Sequence, residues 1–172
     1  MNILKKDDFY FNATQNDWVT VMDIVWAYKH YAHMDEKQLK EYWQKKGSIS
    51  IFLLDIEDIG EKAFQYFVKV VIEYIQEQSI YWDESFEVFD DRPIDDDAVS
   101  AFESFPRVLH RRFIEKNGKL NQENYKVILE FIDWALYSLD SFNKEIFLAK
   151  ETTCEEYQRL RDDLFSFVSA CS

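Results

Sequence analysis

The sequence has few of the residues that interrupt regular structure. Its 172 residues include only three glycines and two prolines. Folds built from many short strands use both residue types in their tight turns, so this shortage argues against an all-β architecture. The composition favours long helices with few interruptions, and the length is that of a single domain over residues 1–172.

Cysteine and long apolar runs are also scarce. The two cysteines, Cys154 and Cys171, are too few for a disulfide framework and lack the spacing of a zinc site. No uncharged run approaches the ~18 residues that a membrane span needs, and the N-terminal residues contain no apolar signal segment. We therefore expect a cytoplasmic protein that does not enter a membrane and keeps its thiols reduced.

Negative charge is abundant. The chain has 33 acidic and 20 basic residues, which gives a formal net charge of −13. Phosphate backbones and anionic membrane surfaces repel such a chain on average, so direct binding to nucleic acid is not expected. Aromatic residues make up 17% of the chain, far more than in disordered acidic proteins, and this content predicts a folded core.

Apolar residues recur at helical spacing in several segments. Asp35 with Gln38 forms a capping-box pattern, Gly47 is a stop signal, and Pro106 predicts a break or kink within a later helix. Residues 48–56 fit either a strand or a short helix, and a short helix or an irregular buried segment is favoured because no partner strand is evident. The predicted fold is all-α, a single compact domain of about five to seven helices with one long acidic loop. The other predicted helices cover residues 18–33, 60–78, 98–117, 121–142 and 153–169.

Residues 79–104 concentrate the negative charge. They contain nine carboxylates and one base, Arg92, so they contribute −8 of the net −13. Large apolar residues stand among the acids, and this combination is typical of an interaction surface rather than of a solvated tail. We predict that the following residues bind a partner: Tyr81, Trp82, Asp83, Glu84, Phe86, Glu87, Phe89, Asp90, Asp91, Asp95, Asp96 and Asp97.

Within this segment, Trp82 and Phe86 are the first choice for anchors that insert into the partner. Residues 95–97 are also placed to cap the next helix. Because none of the aspartates falls on a core stripe, we expect their substitution by Asn or Ser to leave the fold intact. Two other interpretations stay open: a solvated loop that maintains solubility, and calcium binding, for which the EF-hand spacing is missing.

No catalytic or metal-binding signature is present. The sequence lacks the HExxH, ExxH and GxSxG patterns and any glycine-rich phosphate loop. His30 and His33 are three residues apart, but two histidines at the end of a helix more often interact with its dipole. Cys154 would need a histidine from elsewhere in the fold to act as a nucleophile. We predict no metal, no cofactor and no enzymatic activity.

Basic residues cluster over residues 107–119, where five cations accompany one acid, Glu115. The cluster could contact nucleic acid. It directly follows the acidic segment, however, so we expect its cations to pair with carboxylates of the same chain across the surface.

In its length, acidity, aromatic content and predicted helices, the chain resembles the immunity proteins of bacterial polymorphic and contact-dependent-inhibition toxin systems. The resemblance implies an inhibitor, monomeric or in a heterodimer with its target, that binds a basic toxin domain, often a nuclease. The inhibitor would cover or block the toxin's active site, with carboxylates in place of the substrate's phosphates. The alternatives are a nucleic-acid mimic that inhibits a DNA- or RNA-handling enzyme, and a helical scaffold or enzyme.

Overall fold

The computed structural model describes residues 4, 6–9, 18–83, 94–115, 121–147 and 149–170. Within these ranges the chain is all-α, as the sequence predicts, and its helices share one hydrophobic core. None of the helices described is long and apolar enough to cross a bilayer. The helices are α1 (Trp18–Tyr31), α2 (Glu36–Lys46), α3 (Ile49–Ile56), α4 (Glu61–Ser79), α5 (Asp96–His110), α6 (Gln122–Ser138) and α7 (Lys150–Ala170), with a 3-10 turn at Lys6–Phe9 and a π-helix at Arg111–Glu115.

Local sequence signals set both ends of α2. The Asp35 carboxylate accepts a hydrogen bond from the Gln38 N–H, and the Gln38 side chain accepts one from the Asp35 N–H, each at 2.9 Å. At the other end Gly47 adopts a left-handed conformation with φ 56° and ψ 55°, and its N–H donates to the Trp43 carbonyl. The predicted capping box and the predicted stop are both confirmed, and so is the short helix over residues 49–56.

Helices α4 to α7 alternate in direction. Tyr74, near the end of α4, bonds to Asp95 at the start of α5, so these two helices are antiparallel. Helices α5 and α6 are antiparallel as well, because the later residue of α5 contacts the earlier residue of α6. Phe105 contacts Phe131, and Phe102 contacts Trp134. Pairs that meet in the same order make α5 and α7 parallel: Phe102 with Tyr157, and His110 with Asp163. The ends of α4 and α6 therefore lie with the starts of α5 and α7 at one end of the bundle.

Helix α5 continues through Pro106, so the predicted break at this residue is wrong, and the alternative of a kink stays a prediction. Proline has no N–H, and the carbonyl of Phe102, one turn earlier, therefore lacks its usual helical donor. The hydroxyl of Tyr157, in α7, donates to that carbonyl at 2.8 Å in the buried interior. This contact from a neighbouring helix satisfies the group that Pro106 leaves without a partner.

The π-helix places Arg112 in the interior, although the sequence analysis put the basic run on the surface. Arg112 is fully buried, and its guanidinium carbon lies 3.9 Å from the centroid of the Phe64 ring. Burial lowers the pKa of Arg112 to about 10. Its Nη1 donates to three carbonyls at and after the end of α3, at 3.1, 3.0 and 2.8 Å: those of Ile56, Glu57 and Ile59. Arg112 therefore caps α3 from a segment more than fifty residues away in sequence.

Candidate interaction surface at the acidic end of the bundle

Trp82 does not have the exposed position that we predicted for a partner anchor. Its exposed fraction is 0%, and it belongs to the core. The indole makes edge-to-face contacts with three rings at centroid distances of 5.3 to 5.6 Å: Phe102, Phe142 and Phe147. An indole enclosed in this way cannot insert into another protein, so its assignment as a hot spot is corrected to a core position.

The backbone around Trp82 is fixed as well. The Asn143 N–H donates to the Trp82 carbonyl at 2.8 Å. Asp83 and Phe142 form an antiparallel backbone bridge. The chain that leaves α4 is therefore attached to the connection between α6 and α7. Asp83 itself is half-buried at this point.

Asp95 uses both of its carboxylate oxygens inside the protein. One oxygen accepts the N–H groups of Asp97 and Ala98, each at 3.1 Å, and so caps the start of α5. The other accepts the hydroxyl of Tyr74 at 2.5 Å. Burial and this hydrogen bond to the carboxylate raise the pKa of Tyr74 far above its usual value. Asp95 is therefore a cap and a link between α4 and α5, as the capping pattern predicted in part.

Asp97 caps a different helix from its own. It belongs to the first turn of α5, but its carboxylate accepts the backbone N–H groups of Ile49 and Ser50 at 2.6 and 3.2 Å, and also the Ser50 hydroxyl. Ser48, the residue at the N-cap position of α3, makes no capping bond with its side chain. Asp97 supplies that bond instead. The expectation that Asp95 and Asp97 can be replaced by Asn or Ser without affecting the fold did not include these internal contacts.

Of the predicted partner-binding aspartates within the described residues, Asp96 is the one that is exposed. Glu84, Phe86, Glu87, Phe89, Asp90 and Asp91 lie outside the described residues. Tyr81 and Asp83 are described and half-buried.

The fold brings further carboxylates to the end of the bundle where Asp83 and Asp96 lie. These residues follow α6 or begin α7, and all are exposed: Asp140, Glu145 and Glu151. Two lysines lie nearby, Lys144 and Lys150. The amino group of Lys150 donates hydrogen bonds to the carbonyls of Asp140 and Phe142 at 3.0 and 3.2 Å. The predicted concentration of negative charge thus extends, in three dimensions, to residues far from it in sequence.

Three exposed apolar side chains lie at the same end of the bundle. Ile80 follows α4 and Ile94 precedes α5, with 62% and 38% of their surfaces exposed. Tyr137, in the last turn of α6, is 85% exposed. We call the described surface of Ile80, Ile94, Tyr137, Asp83, Asp96, Asp140, Glu145 and Glu151 the acidic end.

The sequence analysis missed the three apolar members of the acidic end. Tyr137 falls two positions after the buried Ala135 and two before the buried Leu139, on the opposite side of the helix. That offset was a readable signal. Ile80 and Ile94 lie outside any helical stripe, and only the packing of the flanking helices shows that they are uncovered.

The histidines and the cysteine that could suggest chemistry have ordinary surroundings. His30 stacks on Trp26 with ring centroids 4.0 Å apart, and its Nδ1 lies 2.8 Å from the Trp26 carbonyl. Cys154 is exposed on α7. In the part of the chain that the structure describes, no three His, Cys, Asp or Glu side chains are grouped as a metal ion would require.

No protein-family model matches the chain, and no curated protein or solved structure is significantly similar to it.

Proposed function

We propose that the protein is a cytoplasmic immunity protein that binds a basic bacterial toxin domain, such as a nuclease, and neutralises it by covering its active site. One observation carries the proposal: exposed carboxylates and exposed large apolar side chains occur together at the acidic end. Charge and apolar contact make different contributions to such a complex.

The carboxylates would act mainly on the rate of association. Charges within about 8 Å of one another act together at physiological salt, and a surface of one sign raises the association rate with an oppositely charged partner by about 10 to 10³. A nuclease active site is built to attract phosphates, so it is the kind of surface that such a group of carboxylates attracts.

The apolar side chains would supply affinity. Binding energy in protein interfaces is concentrated in a few large side chains, and tyrosine is enriched among them. Tyr137 is 85% exposed and loses little side-chain entropy on binding, because it has only two rotatable side-chain bonds. It takes the anchoring role that the sequence analysis gave to Trp82.

The flanks of residues 84–93 are held in place before any partner arrives. Trp82 is enclosed on one side, and Asp95 and Asp97 bond to α4 and α3 on the other. Surfaces that are fixed in advance lose less entropy on binding, and this raises affinity without additional contacts. The internal bonds of Asp95 and Asp97 thus support the proposed interface without being part of its contact surface.

The nucleic-acid mimic is the weaker alternative for the residues described. A mimic needs unpaired acids along an extended face, but several carboxylates on the sides of the helices are paired with cations. Lys40 alone contacts three glutamates at 2.8 to 3.0 Å: Glu36, Glu73 and Glu77. The same holds on α6, where Glu123 pairs with Lys69 and Asp133 with Arg161.

The test is binding to candidate basic toxin domains, with rates and affinity measured by surface plasmon resonance. Raising the salt from about 50 to about 300 mM should lower the association rate at least about tenfold. Replacing Tyr137 or Ile80 by Ser should weaken the affinity about tenfold, mainly through faster dissociation. Growth of cells that produce the toxin gives a second readout.

Matched variants control for general effects. Asp96→Asn and Glu130→Gln remove one exposed negative charge each, but Glu130 lies in the middle of α6. Ile51→Ser alters an isoleucine about as exposed as Ile80, on α3. Rates that do not respond to salt would contradict the proposal, and so would control variants that weaken binding as much as those at the acidic end.

A further inference from the structure

Helix α3 is apolar on all sides, yet one side of it is uncovered. Six of its eight residues, ISIFLLDI, are aliphatic or aromatic. A helix with this pattern is normally buried all round. Here Ile49, Phe52, Leu53 and Ile56 enter the core, but Ile51 and Leu54 are 55% and 61% exposed. The two are three residues apart and share one face, so the uncovered side is continuous.

Leu54 forms one wall of a groove. The groove has a volume of about 540 Å³, and α5 forms its floor. Ser104 and the buried residues Pro106 and Val108 line the bottom, and Arg159, from α7, is on the opposite wall. Ile51 lies one turn before Leu54 and extends the apolar wall along α3.

Three arginines at the groove direct their charge outward. Each pairs with a carboxylate that is less exposed than the arginine itself. The exposed fractions of the side chains are 60% for Arg107 against 26% for Glu156, 43% for Arg111 against 9% for Glu57, and 74% for Arg159 against 39% for Asp163. A carboxylate occupies only part of a guanidinium, which has five N–H donors. The outward N–H groups remain available to a second carboxylate.

The rim also contains a carboxylate and a histidine. Glu115 is exposed and lies 3.4 Å from Nδ1 of His110, whose Nε2 is 3.0 Å from Asp163. In a chain of net charge −13, the two most exposed charges of this groove are nonetheless guanidiniums, those of Arg159 and Arg107 at 74% and 60%, and Glu115 follows at 58%.

We infer that this groove binds a segment of a partner polypeptide that carries an aliphatic side chain next to carboxylates. The aliphatic side chain would cover Ile51 and Leu54, and the carboxylates would bond to Arg107 and Arg159. This surface shares no residue with the acidic end. Its partner would carry negative charge, whereas the partner of the acidic end would carry positive charge.

A second copy of the chain is a less suitable occupant. Stable protein interfaces bury about 800 Å² on each partner, which two aliphatic side chains and a narrow groove do not provide. Two copies that each carry a charge of −13 also repel one another. A short segment requires less area, and its carboxylates come within about 8 Å of the arginines, where their attraction is not screened.

The test is a titration of the full chain with a synthetic helical peptide of about 14 residues, with leucines at i and i+4 among glutamates. A peptide with glutamine in place of each glutamate is the comparison, because it has no charge that the acidic end would attract. The acidic peptide should bind at least about tenfold more tightly than the neutral one. Its addition should shift the NMR signals of Ile51, Leu54 and Arg107 and leave those of Ile80 and Tyr137 unchanged.

Substitutions then locate the site. Leu54→Ser and Arg107→Glu should each weaken binding of the acidic peptide at least about fivefold. Ile80→Ser is the control for the first variant. Lys126→Glu is the control for the second, because it makes the same charge change at an exposed lysine of α6. Both control variants should bind as the unchanged protein does.

Three outcomes would overturn the inference. The first is that the acidic peptide binds no better than the neutral one. The second is that the control variants lose as much affinity as the groove variants. The third is that the protein dimerises in sedimentation equilibrium and Leu54→Ser abolishes the dimer, because the occupant would then be a second copy. None of these results depends on whether the acidic end binds a toxin.

Discussion

Replacing Tyr157 by Phe removes one hydroxyl from the interior and leaves the ring in place. That hydroxyl donates to the Phe102 carbonyl, which has no helical donor because residue 106 is proline. A buried carbonyl that loses its donor costs about 1–3 kcal/mol, whereas the loss of one oxygen creates only a small cavity. We expect the Tyr157→Phe variant to lose about 2 kcal/mol of unfolding free energy.

The Pro106→Ala variant isolates this hydrogen bond. Alanine restores an N–H one turn after Phe102, and this N–H can donate to the same carbonyl. In that background, Tyr157→Phe should cost about 1 kcal/mol less than in the unchanged protein. Both costs are measured by urea unfolding, followed by tryptophan fluorescence, of the unchanged protein, the two single variants and the double variant. If the two costs agree within about 0.5 kcal/mol, the hydroxyl does not compensate for the proline and the reasoning is refuted.

Two further predictions concern stability. Asp97→Ala should destabilise the protein by about 2 kcal/mol because it removes the cap of α3, whereas Asp96→Ala should change stability by no more than about 0.5 kcal/mol in the same urea assay; equal effects would contradict the cap. Stability should also fall as the pH rises above about 10, because phenols that ionise in the unfolded chain keep their protons in the native state, which therefore binds more protons. Partial burial lowers the pKa of Lys40, but its hydrogen bonds to glutamates raise this pKa more, so Lys40 also makes stability fall with rising pH. Burial lowers the pKa of Arg112, so Arg112 makes stability rise with pH. Urea midpoints between pH 9 and 11.5 test this, and a flat profile would contradict it for the buried tyrosines: Tyr31, Tyr74 and Tyr157.

The parts of the fold that depend on neighbouring residues were predictable from the sequence. Asp35, Gln38 and Gly47 set the ends of α2 through contacts within that helix, so the capping pattern was sufficient. The apolar period of α4 likewise identified a core helix, and Phe67 and Val71 are fully buried in it. Such signals do not require knowledge of what the helix packs against.

The errors all concern contacts between residues far apart in sequence. Trp82 was taken for an exposed anchor because its neighbours are acidic, but the rings that enclose it come from α5 and from the connection after α6. Arg112 was taken for a surface cation, but the carbonyls that hold it are at the end of α3. Pro106 was taken for a break because its compensating donor, Tyr157, lies on another helix. No local pattern contains this information.

The candidate surface was predictable in part for the same reason. The concentration of carboxylates is a property of the composition of residues 79–104 and could be read directly. The sequence did not show which of these carboxylates bond inside the protein and which are exposed. Asp95 and Asp97 differ from Asp96 only in which helices lie beside them. The contribution of Tyr137 and Asp140 depends on the direction of α6, which the sequence does not specify.

Helix α3 receives both of its caps from the α5 segment, from Asp97 at its start and from Arg112 at its end. Isolated helices shorter than about 12 residues are marginal in water, and α3 has eight residues. It therefore cannot persist while α5 is open, and the two should open and close as one cooperative unit, with amide protons that exchange at a common rate. For this reason the distance between the apolar wall of α3 and Arg107 of α5 is fixed for as long as the native state lasts.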